Sequence, residues 1–123
     1  MSQLIDDSRP IFMQIAERVE NDIVEGRLPE ESQAPSTNEL AAYYQINPAT
    51  AAKGVNLLVD QGILYKKRGL GMFVATGAHA ALMGKRREEF YEQYVVKMLQ
   101  EAEKLGITEE QLTEMIRRGA KVP

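Results

Sequence analysis

Residues 36–74 read STNELAAYYQINPATAAKGVNLLVDQGILYKKRGLGMFV, and the order of signals in this stretch decides the fold. Ser36 and Glu39 form a capping box, which predicts that a short helix begins there. Asn47 as a cap and Pro48 in the first turn predict that another helix begins after a tight connection. Two such helices in succession are typical of a helix-turn-helix.

The second half of this stretch changes from helical to strand-like spacing after Gly62. Residues 63–67 and 72–75 are predicted strands, and the glycine-rich residues 68–71 are the turn between them. A hairpin that directly follows a helix-turn-helix makes a winged helix. We therefore predict a mainly α fold with a small β-hairpin, a winged helix-turn-helix followed by a two-helix tail.

The regions on either side of this stretch are predominantly helical, with apolar residues at helical spacing and loops between them. The predicted elements are a helix over 11–25, a loop over 27–35, a linker over 76–80, a long helix over 81–105, and a last helix that the capping box at 108–111 opens. We expect two domains, a winged-helix DNA-binding domain over residues 1–76 and a helical dimerisation tail over residues 77–123.

The candidate DNA-binding residues lie at two helix starts and at the hairpin tip. Helix N-termini offer N–H groups to phosphates, and side chains in the first turns of the second helix can reach base edges. Thr50 and Lys53 are three residues apart and share a helix face. The predicted set is Ser36, Thr37, Asn38, Asn47, Ala49, Thr50, Lys53, Lys67, Arg68 and Gly69.

Each of these signals also has a purely structural interpretation. Asn47-Pro48 and the capping box at Ser36 start helices in any fold, and a basic triplet in a turn is usually just solvated. A winged helix can also serve as a protein-interaction module, which is the alternative function. Salt-dependent binding to duplex DNA distinguishes the two.

The net charge of -3 over 123 residues at first argues against a nucleic-acid partner. The charge is unevenly distributed, however. Residues 1–35 carry three cations and eight carboxylates, residues 36–77 carry four cations and two carboxylates, and residues 78–123 carry eight of each. The acidic total is therefore compatible with a DNA-binding face. With so few cations per subunit, we expect tight binding to need two subunits and to weaken as salt rises.

Over roughly residues 9–75 the chain resembles the GntR family of bacterial transcription regulators. The motifs that carry the resemblance include Pro10-Ile11-Phe12-x-Gln14-Ile15, Pro35-Ser36-x-x-Glu39-Leu40-Ala41, Asn47-Pro48-x-Thr50 and Arg68-Gly69-x-Gly71-x-Phe73-Val74. The resemblance implies a winged helix that binds operator DNA as a dimer. It places Ser36, Asn38, Asn47, Thr50 and the wing residues Arg68-Gly69 at DNA-contact positions of the family; Lys53 and Lys67 are added from geometry and charge.

The short C-terminal part resembles the YtrA subfamily, whose helical tail dimerises the protein, and so does Asn47-Pro48-x-Thr50. That resemblance implies a regulator, expected to be a repressor, of an ABC-transporter operon. The chain departs from the family in two places. Glu31-Ser32-Gln33-Ala34 replaces the usual Gly-Asp-Arg-Leu, and Asn38, Pro48 and Ala52 stand where other members have arginine.

A wide apolar stripe on the tail is the predicted homodimer interface, because a two-helix tail cannot bury such a stripe by itself. Its members are Phe90, Tyr94, Val95, Met98, Leu99, Ala102, Leu105, Leu112, Met115 and Ile116. The alternative is packing onto the first helix of the same chain. A small-molecule effector could bind between the tail helices, where Tyr91 and Tyr94 offer hydroxyls, although these tyrosines could simply pack.

The sequence argues against an enzyme. It has no cysteine, its one histidine, His79, has no nucleophile partner in the sequence, and its carboxylates show no metal-ligand spacing. We expect no cofactor and no metal. The N-terminus lacks a basic start and an apolar run, and no stretch has the length of a membrane span, so we expect a cytoplasmic protein without a membrane partner.

Overall fold

The structure, a computed structural model, describes residues 5–121. The chain divides into two compact units, Met1–Gly84 and Lys85–Pro123. The elements in chain order are α1 (Ile11–Val24), α2 (Thr37–Tyr44), α3 (Pro48–Asp60), β1 (Leu64–Lys67), β2 (Gly71–Val74), α4 (Ala78–Phe90), a π-helical turn (Tyr91–Val95), α5 (Val96–Lys104) and α6 (Glu109–Ala120). This order confirms the predicted winged helix-turn-helix followed by C-terminal helices.

The wing is an antiparallel hairpin of β1 and β2, paired from Leu64 with Val74 to Lys67 with Gly71. Each strand bound lies within one residue of its prediction. Gly71 opens β2 at φ +117°, a backbone conformation that favours glycine. The glycine-rich turn is therefore the tip of the wing.

The core of the first unit lies between α1, α3 and the hairpin. Its fully buried large side chains are Ile15 and Ile23 of α1, Val55 and Leu58 of α3, Leu64, Val74 and Leu82. Helices α1 and α3 approach so closely at Gly54 that a Cβ there would lie 2.7 Å from the Phe12 carbonyl oxygen. The spacing of these apolar residues is what makes the two helices pack along one face.

Residues 31–34 run alongside β2 and are held to it by backbone hydrogen bonds and by an isolated bridge between Gln33 and Phe73. Glu31 N–H donates to the Val74 carbonyl at 2.7 Å, Val74 N–H donates to the Ser32 carbonyl at 3.0 Å, and Ala34 N–H donates to the Met72 carbonyl at 2.9 Å. The predicted loop over 27–35 is confirmed, since these residues form neither a helix nor a strand, although β2 holds the backbone of residues 31–34. No periodic pattern identifies so short a segment, because its partner strand alone gives it structure.

The first unit extends beyond the wing into α4. Ala78 and Leu82 belong to its buried core, with exposures of 2% and 1%. The predicted linker over 76–80 is therefore wrong after Thr76 and Gly77, since α4 begins at Ala78. This start was missed because only two apolar residues of the first turns face the core, which is too few to produce a clear stripe.

The second unit contains the rest of α4, the π turn, α5 and α6. The Thr108 hydroxyl accepts from Gln111 N–H at 3.2 Å and the Gln111 side chain accepts from Thr108 N–H at 2.9 Å, which confirms the predicted capping box. The long helix predicted over 81–105 is interrupted by the π turn Tyr91–Val95. Across the residues that the structure describes, every helix is too short or too polar to cross a lipid bilayer.

Candidate nucleic-acid interface

The N-terminus of α2 is held by the capping box that the sequence predicts. The Ser36 hydroxyl accepts from Glu39 N–H at 3.0 Å, and a Glu39 carboxylate oxygen accepts from Ser36 N–H at 2.8 Å. Ser36 and Asn38 are exposed and Thr37 is half-buried. Hydroxyl and amide groups therefore surround a helix start, where the dipole favours an anion such as a phosphate.

The N-terminus of α3 has the expected cap as well. The Asn47 side-chain oxygen accepts from Ala49 N–H at 2.7 Å, and Pro48 occupies the first turn. Ala49 is exposed and Thr50 is half-buried. The first turn of α3 thus presents a small apolar side chain and a hydroxyl, which suits contact with base edges and with the methyl of thymine.

Lys53 extends from α3 to α1. Its Nζ lies 4.2 Å from the centroid of the Phe12 ring, a cation–π contact. The sequence analysis did not identify Phe12 as part of the site. The signal available was an aromatic residue in the motif that opens α1, but only the packing of α1 on α3 brings the two side chains together. The contact holds the ammonium in place without neutralising its charge.

The wing presents cations at its tip. The Lys67 Nζ lies 4.3 Å from the Phe73 ring centroid, and Arg68 and Gly69 follow it as exposed residues. The side chain of Lys66 is exposed on the other face of β1. Positive charge therefore reaches both faces of the hairpin and its turn.

The cations of residues 36–77 remain available to a polyanion. Ion pairs of the first unit include Arg9 with Glu17 and Arg27 with Asp22 and Glu25. Within residues 5–121, Lys53, Lys66, Lys67 and Arg68 form no ion pair with a carboxylate. The structure thus places the predicted residues on three elements, α2, α3 and the wing, with positive charge on the last two.

The apolar stripe of the tail is largely uncovered in a single chain. Phe90 and Tyr94 are 58% and 63% exposed, with ring centroids 5.4 Å apart. Leu99, Leu105, Met115 and Ile116 are also exposed, whereas Val95, Met98 and Leu112 are half-buried. Ala102 differs, because only 6% of it is exposed. In a single chain it therefore offers a partner almost no surface.

The candidate effector residues Tyr91 and Tyr94 are both exposed. A groove of about 1050 Å³ lies elsewhere, on α1, α2 and the loop between them, with Tyr43 and Tyr44 in its lining. Among the described residues no group of three or more His, Asp or Glu is arranged to hold a metal ion.

A family model described as bacterial regulatory proteins, gntR family, matches residues 12–74. The chain belongs to this family of DNA-binding transcription regulators, whose members are not enzymes. Two curated relatives from Bacillus subtilis match over most of their length. The HTH-type transcriptional regulator YhcF is 30% identical over 95% of both chains, and the HTH-type transcriptional repressor YtrA is 28% identical over 89% of this chain and 84% of its own. Because both matches extend through the tail, the resemblance to the YtrA subfamily is confirmed.

Solved structures support the same assignment. A transcriptional regulator from Oenococcus oeni superimposes with a TM-score of 0.81 at 25% identity, covering 94% of both chains. The DNA-binding domain of AraR in complex with operator ORX1 superimposes with a TM-score of 0.55 at 30% identity, over 58% of this chain and 93% of that domain. The fold described above is thus one that binds operator DNA in a related protein.

Proposed function

We propose that this protein is a sequence-specific repressor that binds pseudo-palindromic operator DNA as a homodimer. The observation that carries the proposal is the set of Thr50, Lys53 and Arg68, which lie at a helix start and at a wing tip. Neither cation forms an ion pair with a carboxylate among residues 5–121. The operator complex of the AraR domain supports DNA as the ligand. The repressor YtrA supports the direction of regulation.

In this proposal the N-terminal part of α3 enters the major groove, as recognition helices do. Thr50 and Lys53 contact bases or phosphates there, with Asn47 and Ala49 beside them. Ser36, Thr37 and Asn38 bind the backbone at the start of α2. Lys67, Arg68 and Gly69 of the wing bind the adjacent backbone or groove. Phosphate contacts fix the register, and contacts from α3 supply the specificity.

A second copy of the chain covers the exposed apolar side chains of the tail. A two-fold dimer brings two α3 helices to two half-sites, which explains why the operator should be pseudo-palindromic. An exposed stripe that contains Phe90, Tyr94, Leu99 and Leu105 is more extended than the single apolar residues found on most surfaces.

The cellular setting belongs to the same proposal. We place the protein in the cytoplasm, as the regulator of an ABC-transporter operon, with a small-molecule effector that binds near Tyr91 and Tyr94. Mapping the DNA that co-purifies with the protein identifies the operon. Chromatin immunoprecipitation that recovers no transporter promoter would contradict this assignment.

The direct test measures duplex binding by Thr50→Ala and Lys53→Ala variants, with operator sequences selected from a random pool. We expect each variant to bind about ten-fold or more weakly, since one base or phosphate contact contributes ~1–3 kcal/mol. Lys104→Ala, which removes one charge from the tail, is the matched control and should bind like the parent. Circular dichroism and sedimentation verify fold and oligomeric state.

Two results would contradict the proposal. If both variants bind with unchanged affinity, α3 does not read the operator. If the parent protein binds no duplex even at low salt, the winged helix is a protein-interaction module instead.

A further inference from the structure

Residues 31–34, which belong to the loop before α2, contact the wing along β2. This segment pairs with β2 through the backbone, and Gln33 bridges Phe73. The same segment leads through Pro35 directly into the capping box of α2. One short stretch therefore contacts the wing and also begins the helix whose N-terminus is a candidate phosphate site.

Gln33 extends its side chain to the tip of the wing. Its Nε2 donates to the Leu70 carbonyl oxygen at 2.7 Å, across 37 residues of sequence. The contact needs a glycine next to Leu70, because a Cβ on Gly71 would lie 2.8 Å from the Gln33 Nε2. The side chain thus binds the backbone of the turn that contains Arg68 and Gly69.

Glu31 holds the base of the wing from the same segment. Its carboxylate accepts from the Thr76 hydroxyl at 2.6 Å and also from the Tyr65 hydroxyl. Tyr65 lies in β1 and Thr76 follows β2, so both strands are attached to one carboxylate. With the base fixed by Glu31, the turn is the part of the wing whose position depends on Gln33.

We propose that Gln33 is a positioning residue for DNA binding, which holds the wing tip in fixed relation to the start of α2. It acts through the turn and not by touching the duplex. The turn includes Gly69 at φ +79°, and glycine-containing turns lose conformational freedom when they bind. Holding the tip before binding reduces that loss, so Arg68 and Ser36 reach the backbone together. This inference rests on the proposed DNA contacts of the wing.

The test is a double-mutant cycle on selected operator DNA. Gln33→Met keeps the length and the neutral charge of the side chain but removes the donor. We expect it to weaken binding about two- to ten-fold, the range that one hydrogen bond contributes. In a background where Lys67→Ala and Arg68→Ala remove the two cations that lead into the turn, the same change should have no further effect. Gln61→Met, an exposed glutamine at the end of α3, is the matched control.

A second measurement needs no DNA. Backbone ¹⁵N relaxation of Gly69 and Leu70 should show lower order parameters in Gln33→Met than in the parent, while β1 and β2 remain unchanged. Thermal unfolding of both proteins shows whether the unit as a whole has been destabilised.

The outcomes distinguish a failure of the proposed wing contacts from a failure of the proposed role of Gln33. If the Lys67 and Arg68 changes alone leave affinity unchanged, the proposed wing contacts are wrong. If those changes weaken binding but Gln33→Met does not, or weakens it equally in both backgrounds, the positioning role of Gln33 is overturned. Unchanged order parameters at the tip would overturn it as well.

Discussion

Gly54 is the residue at which α1 and α3 come closest, and it provides a stability prediction. In Gly54→Ala the new Cβ lies 2.7 Å from the Phe12 carbonyl oxygen and 3.2 Å from Ile15, so a helix must shift. We expect a loss of ~1–3 kcal/mol in the free energy of unfolding, as for overpacked cores. Urea denaturation measures it.

The control for this prediction is Gly84→Ala in α4, where an added Cβ meets nothing within 4 Å. Alanine is favoured over glycine inside a helix, so this variant should be neutral or more stable by up to ~1 kcal/mol. Equal destabilisation by both substitutions would contradict the close approach at Gly54.

Glu31 gives the wing a dependence on pH. Hydrogen bonds from the Thr76 and Tyr65 hydroxyls lower the pKa of Glu31 below its ordinary value. Its stabilising contribution is complete above the pKa of the unfolded chain and is lost as the pH falls through the lower pKa of the folded chain. Glu31→Gln should therefore lower the thermal midpoint at neutral pH and have less effect near pH ~3, below the ordinary pKa.

Removal of the Thr76 and Tyr65 hydroxyls tests whether they lower the pKa of Glu31. In a background with Tyr65→Phe and Thr76→Val, the effect of Glu31→Gln should change less with pH, since the Lys67 charge and the Thr76 backbone N–H still lower the pKa of Glu31. A difference in midpoint that is the same at both pH values in the parent background would show that these hydroxyls do not favour the ionised carboxylate.

At the scale of elements, the start of α2 combines a cap with a candidate phosphate site. Ser36→Asp separates the two roles, because aspartate also caps helices but adds a negative charge. We expect the free energy of unfolding to stay within ~0.5 kcal/mol of the parent. Duplex affinity should fall, and the difference from the parent should shrink as salt rises.

Ser36→Asn, a neutral cap, is the matched control and should retain most of the affinity. If Ser36→Asp binds DNA as the parent does at low salt, the N-terminus of α2 does not contact the backbone.

The starts of α2, α3 and α6 could be predicted from sequence because their signals are local. Ser36, Asn47 and Thr108 each cap a helix through a residue two or three positions away. That the loop residues 31–34 lie along β2 could not be predicted, because β2 follows some forty residues later. The π turn Tyr91–Val95 leaves no signal in the spacing of apolar residues.

The candidate site could likewise be predicted only in part. The types and positions of Thr50, Lys53 and Arg68 follow from the order of elements and from the family motifs. The partners that hold them do not, since Lys53 meets Phe12 and Gln33 meets Leu70 only after the chain has folded. Sequence identifies the groups that can bind DNA, and packing determines which of them are held in place.

For the molecule as a whole, the exposed apolar stripe of the tail predicts that the protein dimerises. Leu99, 48% exposed on α5, lies in the middle of the stripe. Leu99→Glu would place a charge in an apolar interface twice per dimer, which is costly without a partner charge. We expect the variant to sediment as a monomer at micromolar concentration while the parent sediments as a dimer.

Lys97→Glu, which adds a carboxylate to an exposed position of the same helix outside the stripe, is the matched control and should remain a dimer. A parent protein that is monomeric at micromolar concentration would contradict the interface directly.

Salt dependence follows from the distribution of charge between two subunits. Residues 36–77 contain four cations, so one subunit can displace only a few counterions. The slope of log affinity against log salt should be about twice as steep for a full operator as for a half-site. Fluorescence anisotropy over a range of KCl concentrations measures both slopes. Equal slopes would mean that only one subunit contacts the DNA.

The stacked lysines have a consequence for the thermodynamics of recognition. A free lysine side chain samples many rotamers, and immobilising it costs up to ~1.5–2 kcal/mol of entropy. Lys53 on Phe12 and Lys67 on Phe73 are already ordered before any duplex arrives. This side-chain entropy is lost when the chain folds, so a smaller entropy loss opposes DNA binding. Calorimetry should therefore find a less favourable entropy of operator binding in Phe12→Leu than in the parent.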